Sequence, residues 1–228
     1  MKHAGKARQA GWKLIVWTFF GLLLFVVGGA LAVVVGSIVT AAATALFLLW
    51  AVFALFCVNF FRDPDPVVPA DLDAIVSPAH GKVDVIDEIE ESGFMGGRCR
   101  RISIFLSVLD VHVQNAPVAG KIEYLKHCPG KFINAMRTDC ATENENVLIG
   151  IVPTAAPQEK TGVRLIAGLL ARRIVPWISL GDEVDKGERT SLIQFGSRVE
   201  LYLPMSARVT VALGSKVKGG TSVVARRS

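Results

Sequence analysis

Residues 14–61 read LIVWTFFGLLLFVVGGALAVVVGSIVTAAATALFLLWAVFALFCVNFF, forty-eight positions without one Asp, Glu, Lys, Arg or His. A membrane span needs ~20 such residues. As a single helix the run would measure about 72 Å, more than twice a hydrocarbon core of ~30 Å. The length therefore predicts a helical hairpin, with spans near Leu14–Val34 and Ile38–Val58 and a turn at Gly36-Ser37. A cleaved signal peptide is the rival reading of the first half, but its apolar core would be too long and a second apolar segment follows at once. A re-entrant or interfacial anchor is the remaining alternative. Trp12, Trp17, Trp50, Phe60 and Phe61 stand where interfacial anchors are expected,.

Working outward, Lys2, Lys6, Arg8 and Lys13 precede the run and Arg62 follows it. Basic flanks favour the cytoplasmic side, so a hairpin places both ends, and everything after them, on the cytoplasmic face of the membrane. The 20 acidic residues begin only at Asp63. The whole chain of 228 residues carries +5, is 51% hydrophobic and has a mean hydropathy of +0.45. Those figures are concentrated in its first quarter. From residue 62 onward 21 basic residues face 20 acidic ones, so the isoelectric point near 9.2 reflects a short tail and gives no case for nucleic acid,. Cys57, Cys99, Cys128 and Cys140 form no C-x-x-C, which points to reduced thiols and to neither zinc nor a disulfide framework,.

Arg-Asp-Pro-Asp-Pro at 62–66 reads as a stiff linker, and the remainder reads as a mainly-β domain of barrel or sandwich type with some α,. Ala74–Val76, Lys82–Ile89, Arg101–Val108, Val147–Val152 and Leu192–Tyr202 alternate or are β-branched, whereas Val163–Ile174 is ambiguous,. The domains are thus 1–61, a basic tail and anchor, and 62–228. Gly181-Asp-Glu-Val-Asp-Lys-Gly187 is echoed by Gly214-Ser-Lys-Val-Lys-Gly-Gly220. Paired tight turns with glycines at positive φ explain the echo without any ligand.

Chemistry is sparse. His80 lies in Ser-Pro-Ala-His-Gly (77–81), His112 in Leu-Asp-Val-His-Val-Gln-Asn-Ala-Pro (109–117), and His127 precedes Cys-Pro-Gly. All three fall at junctions, where rigid strands present functional side chains. No G-x-S-x-G, H-E-x-x-H or Walker loop occurs,. Gly196-Ser197 interrupts an otherwise continuous strand, and taken alone reads as a β-bulge,.

The ordered set of motifs says more. Phe-Phe-Arg-Asp-Pro (60–64), Ser-Pro-Ala-His-Gly-Lys-Val (77–83), His-Val-Gln-Asn-Ala-Pro (112–117), Pro-Gly-Lys-Phe-Ile-Asn-Ala (129–135), Glu-Asn-Glu-Asn (143–146), Ile-Ala-Gly-Leu-Leu-Ala-Arg-Arg-Ile-Val (166–175) and Phe-Gly-Ser-Arg-Val (195–199) follow an apolar anchor. From about Phe60 to the C-terminus the chain resembles the short, membrane-anchored bacterial phosphatidylserine decarboxylases. The resemblance implies a zymogen that cuts itself between Gly196 and Ser197 into a β chain, 1–196, and an α chain, 197–228. These fragments would stay together as a heterodimer, with a higher oligomer left open. Ser197 would become a covalent pyruvoyl group, the only cofactor implied. Through a Schiff base it would decarboxylate phosphatidylserine to phosphatidylethanolamine. His112 matches the family's functional histidine, a general acid expected to titrate near neutrality. Lys131, Phe132, Asn134, Arg172 and Arg173 stand where the lipid's glycerophosphate and first acyl carbons would be met, the arginine pair being as readily structural.

The chain departs from the pattern at His80, where the family has an aspartate tied to self-processing, and at Asp110, where short forms often have asparagine. One reading has His80 helping to activate Ser197, with Asp110 orienting a histidine. The alternative is an unprocessed, non-catalytic lipid-binding relative at the membrane surface.

Overall fold

The computed structural model describes residues 6–132, 143–168, 173–193 and 197–227, with side chains from residue 15 onward. The chain divides into two compact units, Met1–Cys57 and Val58–Ser228.

The first unit is helical. One uninterrupted helix, α1, spans Lys6–Phe60, where the sequence predicts a hairpin. No proline falls in the run, and the expected turn has nothing to break the backbone ladder. Ser37 Oγ donates to the Val34 carbonyl at 2.8 Å and Thr40 Oγ1 to the Gly36 carbonyl at 2.8 Å, so the polar side chains there bond along the helix instead of opening it,. Ile15–Phe60 is long and apolar enough to cross a membrane.

The second unit is the expected mainly-β domain. Its largest sheet comprises β2 (Gly81–Glu91), β3 (Gly97–Leu106), β5 (Gly120–Cys128), β6 (Asn146–Pro153), β7 (Thr161–Ala167), β9 (Glu183–Val184), β11 (Ser197–Leu203) and β13 (Lys216–Val217). The strands run in the order β13-β2-β3-β11-β7-β6-β5-β9. Two three-stranded sheets complete it. One is β1 (Ala74–Val76), β14 (Val223–Arg226) and β12 (Arg208–Val209), and the other β4 (Val113–Asn115), β10 (Arg189–Ile193) and β8 (Ile174–Pro176). Every pairing between these strands is antiparallel. Alternate residues of the long strands, among them Ile102, Ile104, Ile149, Leu165, Val199 and Leu201, fill one main core. Leu148, Cys99, Phe94 and Tyr202 form a smaller cluster.

The glycine echo forms the two edges of the large sheet. Gly181, Gly187, Gly214 and Gly220 all take positive φ, between 67° and 96°. In one copy Gly214 N donates to Val83 O and Val83 N to Ser215 O. In the other Gly181 N donates to Ile122 O and Ile122 N to Asp182 O, all four at 2.8–2.9 Å. Val217 pairs with Gly81 and Val184 with Gly120. The β unit therefore repeats one motif about an approximate two-fold.

The remaining expectations resolve residue by residue. The run Arg101–Val108 stops at Leu106, because Ser107–Asp110 turns. Leu192–Tyr202 divides between the end of β10 and β11, and Val163–Ile174 between β7 and the start of β8. Phe60 is fully buried and therefore no interfacial anchor, whereas Phe61 is exposed. Cys99 is buried, Cys57 and Cys128 are half-buried, and Cys140 lies outside the described residues.

Candidate active site

The C-terminal end of β3 organises the site. Lys82 of β2 pairs with Phe105 from one side, and Ser197 of β11 pairs with Leu106 from the other. Gly81 makes the first approach possible. A Cβ there would lie 2.3 Å from the Phe105 carbonyl oxygen, and its φ of +152° disfavours any other residue,. Hence the His80 turn, the 107–112 segment and the start of β11 meet at one end of the sheet.

Ser197 is fully buried, and its Oγ finds no hydrogen-bond partner among the described residues. It shares a face with Val199 and Leu201, pointing into the main core. Burying an unpaired hydroxyl costs on the order of 1–3 kcal/mol, which makes Ser197 a candidate for a functional role. Gly196, the other half of the expected cleavage site, lies outside the described residues.

His112 is close by. Its carbonyl accepts from Ile193 N at 3.2 Å. Four residue steps separate Ile193 from Ser197, at most about 14 Å of chain. The ring is buried and stacks on Phe60, with centroids 4.2 Å apart. Nδ1 donates to the Asp110 carbonyl at 2.9 Å, leaving Nε2 as the basic nitrogen,. Burial pushes the ring down to about 4, against the raising influence of Asp110. At neutral pH burial thus keeps the His112 ring uncharged, below the near-neutral value expected from the sequence, with Phe60 stacked on one face. Asp110 orients it through its backbone. The Asp110 carboxylate instead accepts from Ser107 N at 2.8 Å and, with Asp110 N on Ser107 O at 2.9 Å, closes a tight turn.

His80 is half-buried in a cleft of about 340 Å³ that is also lined by Arg62, Asp65 and Lys218, with Val111 buried beneath. Burial first, then the Arg62 charge, holds it below its ordinary value, with Asp110 opposing. A Cβ at Gly219 would meet the His80 ring at 3.1 Å and Asn115 Oδ1 at 2.6 Å. Asn115 is fixed by its own bond to Gly187 O at 2.9 Å.

On the far side of Ser197, β7 brings in the Glu-Asn-Glu-Asn segment. Ala167 pairs with Ser197 and donates to Glu145 O, and Asn144 Nδ2 donates to Ala167 O at 2.6 Å. Arg173 lines an open groove of about 480 Å³ with His127, whose Nε2 lies 3.2 Å from Glu145. Lys131 is engaged by Glu143 at 2.7 Å, and Phe132 packs on the core. Asn134 and Arg172 lie outside the described residues.

The family model for phosphatidylserine decarboxylase matches residues 53–225, three quarters of the chain and all of the site just described. The chain belongs to the phosphatidylserine decarboxylase family. Three relatives bear the name phosphatidylserine decarboxylase proenzyme. That of Symbiobacterium thermophilum is 42% identical over 198 residues, covering 84% of this chain and 91% of its own length. That of Desulfotalea psychrophila is 44% identical over 181 residues, covering 79% and 82%. That of Cupriavidus pinatubonensis is 40% identical over 177 residues, covering 78% and 80%.

Three residues of this decarboxylase-family site escaped the sequence reading as site residues. Phe60 looked like one more apolar residue of the anchor. Arg62 donates to Asn59 O at 2.6 Å and to Leu109 O at 2.7 Å, tying the helix end to the turn before His112. Arg198 sends a buried guanidinium across β3 to Asp84, at 3.0 and 2.6 Å, and to Ser103 Oγ at 2.7 Å. The Phe-Phe-Arg-Asp-Pro and Phe-Gly-Ser-Arg-Val motifs contain all three, but their partners are distant in sequence.

Proposed function

We propose that this chain is a membrane-anchored, self-processing decarboxylase that converts phosphatidylserine to phosphatidylethanolamine. The observation that carries the reading is the Ser197 hydroxyl, buried and without a hydrogen-bond partner among the described residues, at the start of a central strand. A hydroxyl so held suits one act, attack on the preceding carbonyl. The Ser197 N–C bond to Gly196 breaks as the Oγ–C bond forms, freeing the amine. Loss of the Ser197 Cα proton then expels the Gly196 carboxylate, so the chain parts into 1–196 and 197–228. Water replaces nitrogen on the resulting dehydroalanine, releasing ammonia and leaving a pyruvoyl group at residue 197.

A pyruvoyl group there supplies a carbonyl electron sink for loss of CO₂ from an amino acid head group. The rest falls to side chains. His80 and His112, kept neutral by burial, are bases for the hydroxyl and Cα protons. His112 Nε2, once loaded, is placed to return a proton to the substrate carbon. Phe60 keeps water from the ring. Arg62 and Lys218 line the cleft toward an anionic head group, and Arg173 stands in the groove on the other flank. Arg62 directly after α1 supports a catalytic unit on the cytoplasmic face of the cell membrane.

Intact mass of freshly prepared protein tests the reading. Two fragments are expected, the smaller blocked to Edman degradation and reactive toward hydrazines, while Ser197→Ala stays whole at 24.5 kDa. His80→Ala should accumulate the uncut chain, and normal cleavage in that variant would remove His80 from the processing step. His80 in place of the family aspartate also favours a second reading, a lipid-binding relative that never cuts. An uncut wild-type chain would decide for it.

A further inference from the structure

The turn that precedes His112 is closed by Asp110, as the Ser179–Asp182 turn is closed by Asp182, but it alone of the two is tied to the residues that follow α1. Asp110 N on Ser107 O, and the Asp110 carboxylate on Ser107 N, close Ser107–Asp110 tightly and leave Val108 and Leu109 at its corner. Turn corners favour Gly, Asn, Asp and Ser. Here Leu109 is 64% exposed and Val108 37%. Arg62 grips the Leu109 carbonyl, so the corner is fixed beside Phe61, itself 44% exposed. These three apolar side chains adjoin the last residues of α1, the element long and apolar enough to cross a membrane.

Behind the corner the His80 cleft is lined by Arg62 and Lys218, and by Asp65, whose carboxylate is paired with Arg189. The pseudo-two-fold supplies an internal control. Lys216 and Lys218 correspond to Glu183 and Asp185, and His80 to Ala119. The equivalent cleft on that side is lined by Glu183, Asp185 and Glu188. The cleft of one copy is therefore acidic, whereas that of the copy next to Ser197 carries two cations; exposed leucines occur by both, but only Leu109 is tied to Arg62, next to Phe61.

We propose that Phe61, Val108 and Leu109 form a lipid-contacting tip that seats the candidate site at the head-group boundary of an anionic bilayer, with Arg62 and Lys218 facing the head groups behind it. The occupant is the bilayer surface itself. Continuity with the anchor's exit, a rigid apolar corner and adjacent cations match the composition of interfacial membrane contacts. The tip would hold His112 and Ser197 at the depth where a head group is presented. This rests on the proposed lipid substrate, but its test does not depend on turnover.

A photoreactive diazirine amino acid is placed at residue 109 of the full-length chain, in vesicles of phosphatidylcholine with one quarter phosphatidylserine. After irradiation, intact mass should reveal phospholipid adducts at least tenfold above those from the same probe at Gln158. That control is exposed in the turn before β7, nine residues from Ala167 and separated from it by the ~20 Å length of that strand,. Phosphatidylglycerol in place of phosphatidylserine should give equal adducts, since the contact is with a surface. With the probe moved to 108, Leu109→Asp should lower the yield at least threefold. Adducts no greater than at Gln158, adducts to protein instead of lipid, or labelling that requires phosphatidylserine would each overturn the proposal. A chain that cuts itself normally yet fails to label would overturn this proposal alone.

Discussion

The contact that sets the chemistry is one ring on another. Phe60 lies flat against His112 at 4.2 Å, and both are excluded from water. An imidazole free in water binds its proton near 6.5, whereas this one binds it at about 4,. Between those values the unfolded chain holds a proton that the native ring refuses. The native state is thus at full stability above pH 6.5 and loses stability as pH falls toward 4, by up to roughly 3 kcal/mol. His80, also held low by burial and Arg62, adds in the same direction. Replacing His112 with Gln removes only the first contribution. The stability gap between His112→Gln and wild type should therefore shrink or reverse on going from pH 7 to pH 5, as read from denaturant midpoints. Parallel pH dependence in the two proteins would mean that the ring accepts a proton in place. Nothing in the spacing of Phe60 foretold this, since an apolar residue ending an apolar helix carries no sign of which histidine it will meet 52 positions later.

Among the elements, β11 carries a buried cation beside the proposed cut. Arg198 lies 4% exposed and reaches over β3 to Asp84 on β2. It thereby pins the residue next to Ser197 against the two strands that carry the site. Removing one member of such a pair strands the other's charge, whereas replacing both with apolar groups is often neutral. Arg198→Met should cost about 2–4 kcal/mol in chemical denaturation, and Arg198→Met with Asp84→Leu should regain at least half of it. A double variant no more stable than the single one would show that packing, not charge, holds the strand. Much at this scale was legible beforehand. Ala74–Val76, Lys82–Ile89 and Val147–Val152 alternate or are β-branched, and the glycine echo announced paired tight turns, because both signals are local. The hairpin in residues 14–61 was not, because bilayer thickness argues for a turn while Gly36-Ser37 offers the backbone no competing partner. Arg198 was quoted within a motif without a role, since its partner sits 114 residues earlier.

At the scale of the whole molecule, the proposed cut divides charge as well as chain. Residues 62–196 hold 15 basic and 19 acidic groups, net −4, while 197–228 hold six basic and one acidic, net +5. Among the described residues four ion pairs cross the cut: Arg198–Asp84, Arg101–Glu200, Arg227–Glu159 and Arg226–Asp71. It would be natural to credit them with holding the fragments together. Strand order says otherwise. β11 is central, bonded along its length to β3 and β7 with all seven residues buried, and β13 and β14 pair with β2 and β1. Partly exposed pairs contribute ~0–1 kcal/mol each and are screened, the Debye length falling to ~3 Å at 1 M salt. Burial of a central strand is not weakened by salt. The cut protein should accordingly elute as one species from a sizing column in 1 M sodium chloride. Its fragments should separate only in denaturant, together with loss of the β-sheet circular dichroism signal. Separation in salt alone, with that signal retained by the large fragment, would make the complementary charges the true link and β11 a detachable edge.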